Sequence, residues 1–407
     1  MKGNEGQIER HIDVLDGVRA FGVGFVVWFH FWQQSWITPN LGFPSGLGRY
    51  LGIQGFNLEL FVRYGFQFVD LLILLSAFCN FYPYARSILL QEPWPDTKQF
   101  YLKRAVRILP SYYLCLAVTL LVMVVEGTAA EAFSWKDLLM HLFCMGPLFP
   151  ETYAGTGFNG VLWTVQIEVF YYLLMPWIAK AFRRWPVTVC TGLWACGLIA
   201  ANYIVCEKAD KIGMLVNHFA TFAGCYANGM LLCMLYLTFK GFHGENQYTR
   251  LTATGVVFAV IFFLGKQMQQ LGAGERQIVQ LQGRFELSLL FSCLILALPF
   301  ASGWMKFLFS NKAAKGLAAI SYNLYIWHQY IAVKCKTWRI PYWEGDTPPN
   351  MLWDRAWMQN YQMLVLVLAL AAAILLTYGF ERPMAAFLMK CRDRTDRGND
   401  ESIGKSA

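Results

Sequence analysis

The stretch LDGVRAFGVGFVVWFH, residues 15–30, decides the architecture. It is apolar apart from Asp16, Arg19 and His30, and it continues far enough (15–36) to cross the roughly 30 Å hydrocarbon core of a bilayer at about 1.5 Å per residue. Charge in hydrocarbon costs a few kcal/mol, so an ionisable group in such a run marks a functional lining rather than a lipid-facing surface. Arg19 and His30 are eleven residues apart. At about 100° per residue that is three turns and roughly 20°, which places both on one helix face, about 16 Å apart in height. A snorkelling arginine and a hydrogen-bonded bundle histidine are the plain alternative. Asp16 and Arg19 are i, i+3 neighbours and pair.

The rest of the chain has the same character. Of 407 residues, 56% are hydrophobic and only 15% charged, against roughly 25% charged in soluble domains; the mean hydropathy is +0.37. Apolar runs predict spans near 15–36, 65–85, 108–126, 160–179, 186–205, 214–239, 251–270, 285–303, 317–334 and 361–380. The expected fold is therefore all-α, a polytopic membrane bundle of about ten transmembrane helices. A short N-terminal segment (1–14) precedes the membrane domain (15–380), and a polar tail (381–407), partly disordered, follows it. The first run is expected to be an uncleaved span, because acidic residues precede it and no small-residue cleavage pattern follows. Residues 138–150 are too short to cross and predict an interfacial or re-entrant piece. The Trp- and Pro-rich loop 335–360 is expected to cover part of a site.

The net charge of +8 is assigned to membrane topology, not to nucleic acid. With both termini cytoplasmic, the inner segments hold 21 Lys and Arg and the outer loops 12, with Arg19 inside the first span; the positive-inside bias favours that orientation. Eleven scattered cysteines, with no CxxC, read as small buried apolar residues. Six histidines without ligand spacing predict no metal.

Three more intramembrane ionisable groups stand out. Asp70 is either an interfacial carboxylate or the orienter of a histidine. Glu168 has no cation on its own span before Lys180, so it is protonated or partnered from another helix. His328, beside Trp327, is either an aromatic-belt residue or part of the lining. Next to the third span, Lys103, Arg104 and Arg107 form a basic cluster. Arg104 and Arg107 sit i, i+3 at an expected helix start, where guanidinium forks and a helix N-terminus suit phosphate.

Five segments in order, LDGVRAFGVGFVVWFH with Arg19-x10-His30, VDLLILLSAF (69–78), KRAVRILPSYY (103–113), LWTVQIEVFYYLL (162–174) and SYNLYIWH (321–328), resemble the acyltransferase-3 family of integral membrane O-acyltransferases. The resemblance implies a ten-helix bundle that takes an acyl group from cytosolic acyl-CoA and O-acylates an acceptor, commonly a cell-surface sugar. It also implies that His30 is the essential histidine, Arg19 its paired arginine, Arg104 and Arg107 the Arg-x-x-Arg pair, and Glu168 the acidic residue of the fourth segment. Val169, Phe170, Ala77 and Gln166 depart from the family pattern.

The expected mechanism uses His30 as general base, its imidazole being matched to neutral pH, with Glu168 or Asp70 holding its tautomer. Arg19, Lys103, Arg104 and Arg107 would bind acyl-CoA, a co-substrate and not a bound cofactor. Trp163, Tyr172, Tyr322 and His328 would line the pocket of a carbohydrate or glycolipid acceptor. The expected partners are thus acyl-CoA, that acceptor and the bilayer of the cell membrane, with no nucleic acid. A channel from arginine to histidine is required. Proton-coupled secondary transport is the rival, against which no internal repeat is visible.

Overall fold

The computed structural model describes residues 12–38, 40–42, 55–128, 133–152, 155–242 and 246–392. Most of the predicted N-terminal segment and of the polar tail lies outside them. Ten long helices carry the chain: α1 (Asp13–Ser35), α2 (Phe68–Leu89), α3 (Thr97–Val125), α4 (Leu162–Arg184), α5 (Pro186–Glu207), α6 (Ala223–Phe242), α7 (Gln247–Ala273), α8 (Arg276–Ala297), α9 (Lys312–Thr337) and α10 (Arg355–Leu376). Asn40–Gly42 and Gly55–Asn57 pair as a short antiparallel ribbon, β1 and β2, after α1. Trp135–Leu142 is a short helix that overlaps the start of the 138–150 segment.

Nine of the long helices among the described residues are apolar enough to cross a membrane, and α9 is not. Its 26 residues are long enough, at about 39 Å, but Ser321, Asn323 and His328 face inward and are buried. It is polar because it lines the site, not because it lies outside the bundle.

Helices α1 and α9 form the central pair. They run parallel and in step: Lys315 reaches Asp13 where both begin (2.5 Å), and the Lys336 ammonium donates to the Gln34 carbonyl where both end (2.8 Å). Helix α3 runs the same way, since Lys334 and the Trp338 indole both donate to Glu126 just past its C-terminus. Helix α2 packs between α1 and α6. At the α2–α6 crossing a Cβ on Gly229 would stand 2.5 Å from the Leu74 carbonyl and 2.7 Å from the Ala77 methyl. Ala77, a departure from the family pattern, is accommodated because its neighbour has no side chain, as close helix packing in membranes requires. The outer helices turn apolar groups outward, with Val125, Ile199, Phe262 and Leu375 all exposed as lipid contact demands.

Three boundaries differ from the sequence reading. Helix α3 begins at Thr97, with Asp96 capping it through the Gln99 amide (2.7 Å); Arg104 and Arg107 therefore lie two turns inside, away from the helix N-terminus. Helix α8 begins at Arg276, so Arg284, which a span starting at 285 leaves in a loop, is inside the bundle. Helix continues past residue 380. A π-turn, Thr377–Glu381, continues α10 into helix that runs to residue 392, and the Asn323 amide donates to both Thr377 (3.0 Å) and Glu381 (2.6 Å).

Candidate active site: two cavities and a histidine pair

Two cavities lie end to end along α1. The first, about 120 Å³, gathers Arg19 from α1, Asn80 from α2, Arg104 and Arg107 from α3, Glu168 from α4 and Tyr322 from α9. Three guanidiniums face one carboxylate, and Glu168 has Arg19 and Arg107 as electrostatic partners. A polar chain holds that carboxylate: the Tyr172 hydroxyl donates to Glu168 (2.9 Å), Ser76 adjoins Tyr172 (3.3 Å), and the Asn80 amide donates to Ser76 (3.1 Å). Arg19 leans on Asp16 (3.9 Å) and on the Cys79 thiol (3.8 Å). Arg104 lies over the Phe100 and Tyr172 rings at 5.6 and 5.8 Å. Prolines 83, 110 and 176 sit inside α2, α3 and α4. Each removes the bond to the carbonyl four residues back, at Cys79, Val106 and Tyr172, so three helices are loosened around this one cavity.

The second cavity, about 300 Å³, surrounds His30 with Gln33, Trp163, Asn217, Arg276 and Gln280 among its walls. Carboxamides beside an aromatic plane suit a polyhydroxyl ligand, because each amide both donates and accepts.

His30 is paired with His328. The His328 Nε2 lies 3.0 Å from the His30 Nδ1. The hydrogen-bond partners assign the tautomers. His328 Nδ1 is 2.7 Å from the Tyr325 carbonyl and 3.1 Å from that of Leu324, so it carries the proton and donates. Its Nε2 is then an acceptor, and His30 Nδ1 donates to it and to the Val26 carbonyl (2.9 Å). The His30 Nε2 is left with a lone pair, and His30 lines the cavity. Parallel, in-register α1 and α9 bring the two rings together; His328 is completely buried.

The structure distributes the expected site residues differently from the sequence reading. No carboxylate touches either imidazole among the described residues. Asp70 lines the His30 cavity, but its oxygen accepts from Arg284 Nε at 2.8 Å. The Arg284 guanidinium also donates to the Val216 carbonyl (2.8 Å), to Thr221 and to Asn217 (3.3 Å), and covers the Phe222 ring at 4.0 Å. Glu168 belongs to the arginine cavity, as do Tyr172 and Tyr322, expected at the acceptor. Trp163 does line the His30 cavity. Lys103 is exposed and lines neither cavity. The loop 335–360 covers neither cavity. The required channel is interrupted, with Val69 and Tyr325 in the walls of both cavities. Arg284 and the carboxamides carried no sequence signal; the pairing of His328 with His30 was hidden in the SYNLYIWH segment.

A multi-pass helical membrane protein with a buried histidine pair above a cationic cavity is the class this arrangement defines. The chain belongs to the acyltransferase-3 family, whose model, described as an acyltransferase domain, matches residues 12–382. It is similar to a protein of Acidianus two-tailed virus named as an acetyltransferase, 25% identical over 318 residues, 76% of this chain and 80% of the viral one. It is 28% identical over 193 residues to nodulation protein 10 of Rhizobium leguminosarum bv. viciae, covering 43% of this chain and 46% of that protein. A Bacillus subtilis protein named as a peptidoglycan O-acetyltransferase is 23% identical over 351 residues, 80% of this chain. The chain spans about half the length of the Rhizobium and Bacillus proteins, 46% and 49%. No solved structure matches it.

Proposed function

We propose that this protein moves an acyl group, acetyl foremost, from acyl-CoA to a hydroxyl of a carbohydrate, with His30 as general base. The observation that carries the reading is the His30–His328 pair, which leaves the His30 Nε2 with a lone pair, on a residue that lines a cavity rich in carboxamides. The names of the viral and Bacillus relatives favour acetyl, and the latter's favours a glycan acceptor.

The acceptor hydroxyl gives its proton to His30 Nε2 as its oxygen bonds the thioester carbonyl carbon. The carbon–sulfur bond then breaks, and the CoA sulfur takes the proton back from His30. During the step the imidazolium keeps Nδ1–H on His328 Nε2 and the Val26 carbonyl, so the ring neither rotates nor changes tautomer. Arg19, Arg104 and Arg107 would hold the polyanionic donor, guanidinium being the side chain suited to phosphate. The positive-inside count favours the cytosolic side for that cavity, which Arg19 lines near the start of α1.

Membranes containing the protein, given acetyl-CoA labelled in the acetyl group, should acquire base-labile label in glycan or glycolipid. His30→Ala should abolish it while the protein accumulates normally. Absence of label with the unaltered protein, or full labelling by His30→Ala, overturns the reading.

A further inference from the structure

The arginine cavity and the His30 cavity adjoin but do not merge, and only two residues line both, Val69 of α2 and Tyr325 of α9. Transfer requires the thioester carbonyl within about 3–3.5 Å of the acceptor oxygen, which must itself be within hydrogen-bond reach of His30 Nε2. On the acyl-transfer reading, a donor held by Arg104 and Arg107 has to pass Val69 and Tyr325 to meet that requirement. Of these two, Val69 is β-branched and stiff about its single side-chain torsion. Tyr325 is long and turns about two bonds, and its hydroxyl lies beside Thr164 of α4.

The chemistry gives such a wall a purpose. A thioester beside a base in a polar cavity of about 300 Å³ is open to attack by water, since a space of that size and polarity admits it. Closing a site against the hydrolysis of a reactive group is a recognised use of steric exclusion. Tyr325 is also joined to the base. Its carbonyl accepts the His328 Nδ1 bond at 2.7 Å, and its ring is 5.7 Å from the His328 ring. One residue thus anchors the histidine pair through its backbone and divides the cavities with its side chain.

Resting on the acyl-transfer reading, we propose that Tyr325 is the residue that makes the enzyme select a hydroxyl acceptor over water. Its side chain keeps the thioester out of the His30 cavity until an acceptor fills it. The leak it prevents is hydrolysis: water bonds the carbonyl carbon and gives a proton to His30, the carbon–sulfur bond breaks, the sulfur takes that proton back from His30, and CoA leaves as the thiol with acetic acid, which ionises in solvent, as the other product.

The test uses the full chain in proteoliposomes with acetyl-CoA and no acceptor, released CoA being measured by chromatography. The unaltered protein should release CoA at the protein-free rate. Tyr325→Ala should raise the release about tenfold, the factor that about 1.4 kcal/mol off a barrier gives, and adding His30→Ala should return it to background. Thr164→Val, which removes the neighbour of the hydroxyl, should give a smaller rise. If Tyr325→Ala does not fold, Tyr325→Phe and Thr164→Val decide: a rise in either supports the partition, and none in both overturns it. A folded Tyr325→Ala that releases CoA at the unaltered rate, or whose release survives His30→Ala, also overturns it. Acetyl labelling of glycan or glycolipid in membranes by the unaltered protein separates the two ideas. Labelling with a flat Tyr325→Ala result removes only the partition, whereas no labelling removes the acyl-transfer reading itself.

Discussion

Replacing Arg284 by alanine tests how the wall of the His30 cavity is held. The guanidinium is 3% exposed and ties five things together: the Asp70 carboxylate (2.8 Å), the Val216 carbonyl (2.8 Å), the Thr221 hydroxyl, the Asn217 side chain (3.3 Å) and the Phe222 face (4.0 Å). Truncation leaves Asp70, 2% exposed, with the Cys225 thiol at 3.7 Å as its one side-chain partner among the described residues. Breaking a buried ion pair from one side costs about 3–5 kcal/mol, because the surviving charge has no compensation. Losing the cation–ring contact removes about 0.5–2 kcal/mol that overlaps with this figure. The expected loss is therefore about 3–5 kcal/mol for Arg284→Ala and a similar loss for Asp70→Leu. The double variant Asp70→Leu/Arg284→Met should recover most of it, since apolar groups of like volume replace such pairs at little cost. Unfolding in mixed detergent micelles, followed as a double-mutant cycle, reads these values. A loss below about 1 kcal/mol for Arg284→Ala, or a double variant as unstable as the sum of the singles, would refute the reasoning.

The other predictions concern the site and its rim. His328→Ala should lower acetyl labelling by about 10²–10⁴-fold, the usual worth of a positioned base, with unchanged donor KM; a donor-affinity effect alone would contradict the tautomer argument. Arg104→Ala with Arg107→Ala should raise the apparent acetyl-CoA KM by about tenfold or more, as loss of charged hydrogen bonds worth about 1.5–3 kcal/mol each implies. Lys103→Ala should leave it unchanged, and equal effects from the two would refute the cavity assignment. The Lys334 hydrogen bond, aided by that of Trp338, holds the Glu126 carboxyl below its ordinary value of 4.5. The stability this clamp contributes should be fully present above that ordinary value and lost as pH falls through the lower folded one. The difference between the unaltered protein and Glu126→Gln, followed by thermal unfolding, should be constant from neutral pH to mildly acid conditions and shrink below about pH 4.5; a difference that grows on acidification would refute it.

Much of this protein was legible from the chain alone, because hydrocarbon is an unforgiving solvent. Long apolar runs must be helices that bond their own backbone, so the spans and the class followed from hydropathy. Arg19 and His30 fell on one face by helical period alone, and each lines a cavity. Arg104 and Arg107, singled out by their i, i+3 spacing on a helix start placed too late, line one cavity together. What period and composition could not supply is how helices pair. His328 meets His30 across 298 positions of sequence because α1 and α9 run parallel and in step, and Asp70 was removed from the histidine by Arg284, 214 positions away. Helix axes, registers and the wall at Val69 and Tyr325 are set by side-chain packing between segments distant in the chain. Only the folded bundle decides which polar group is close enough to satisfy which.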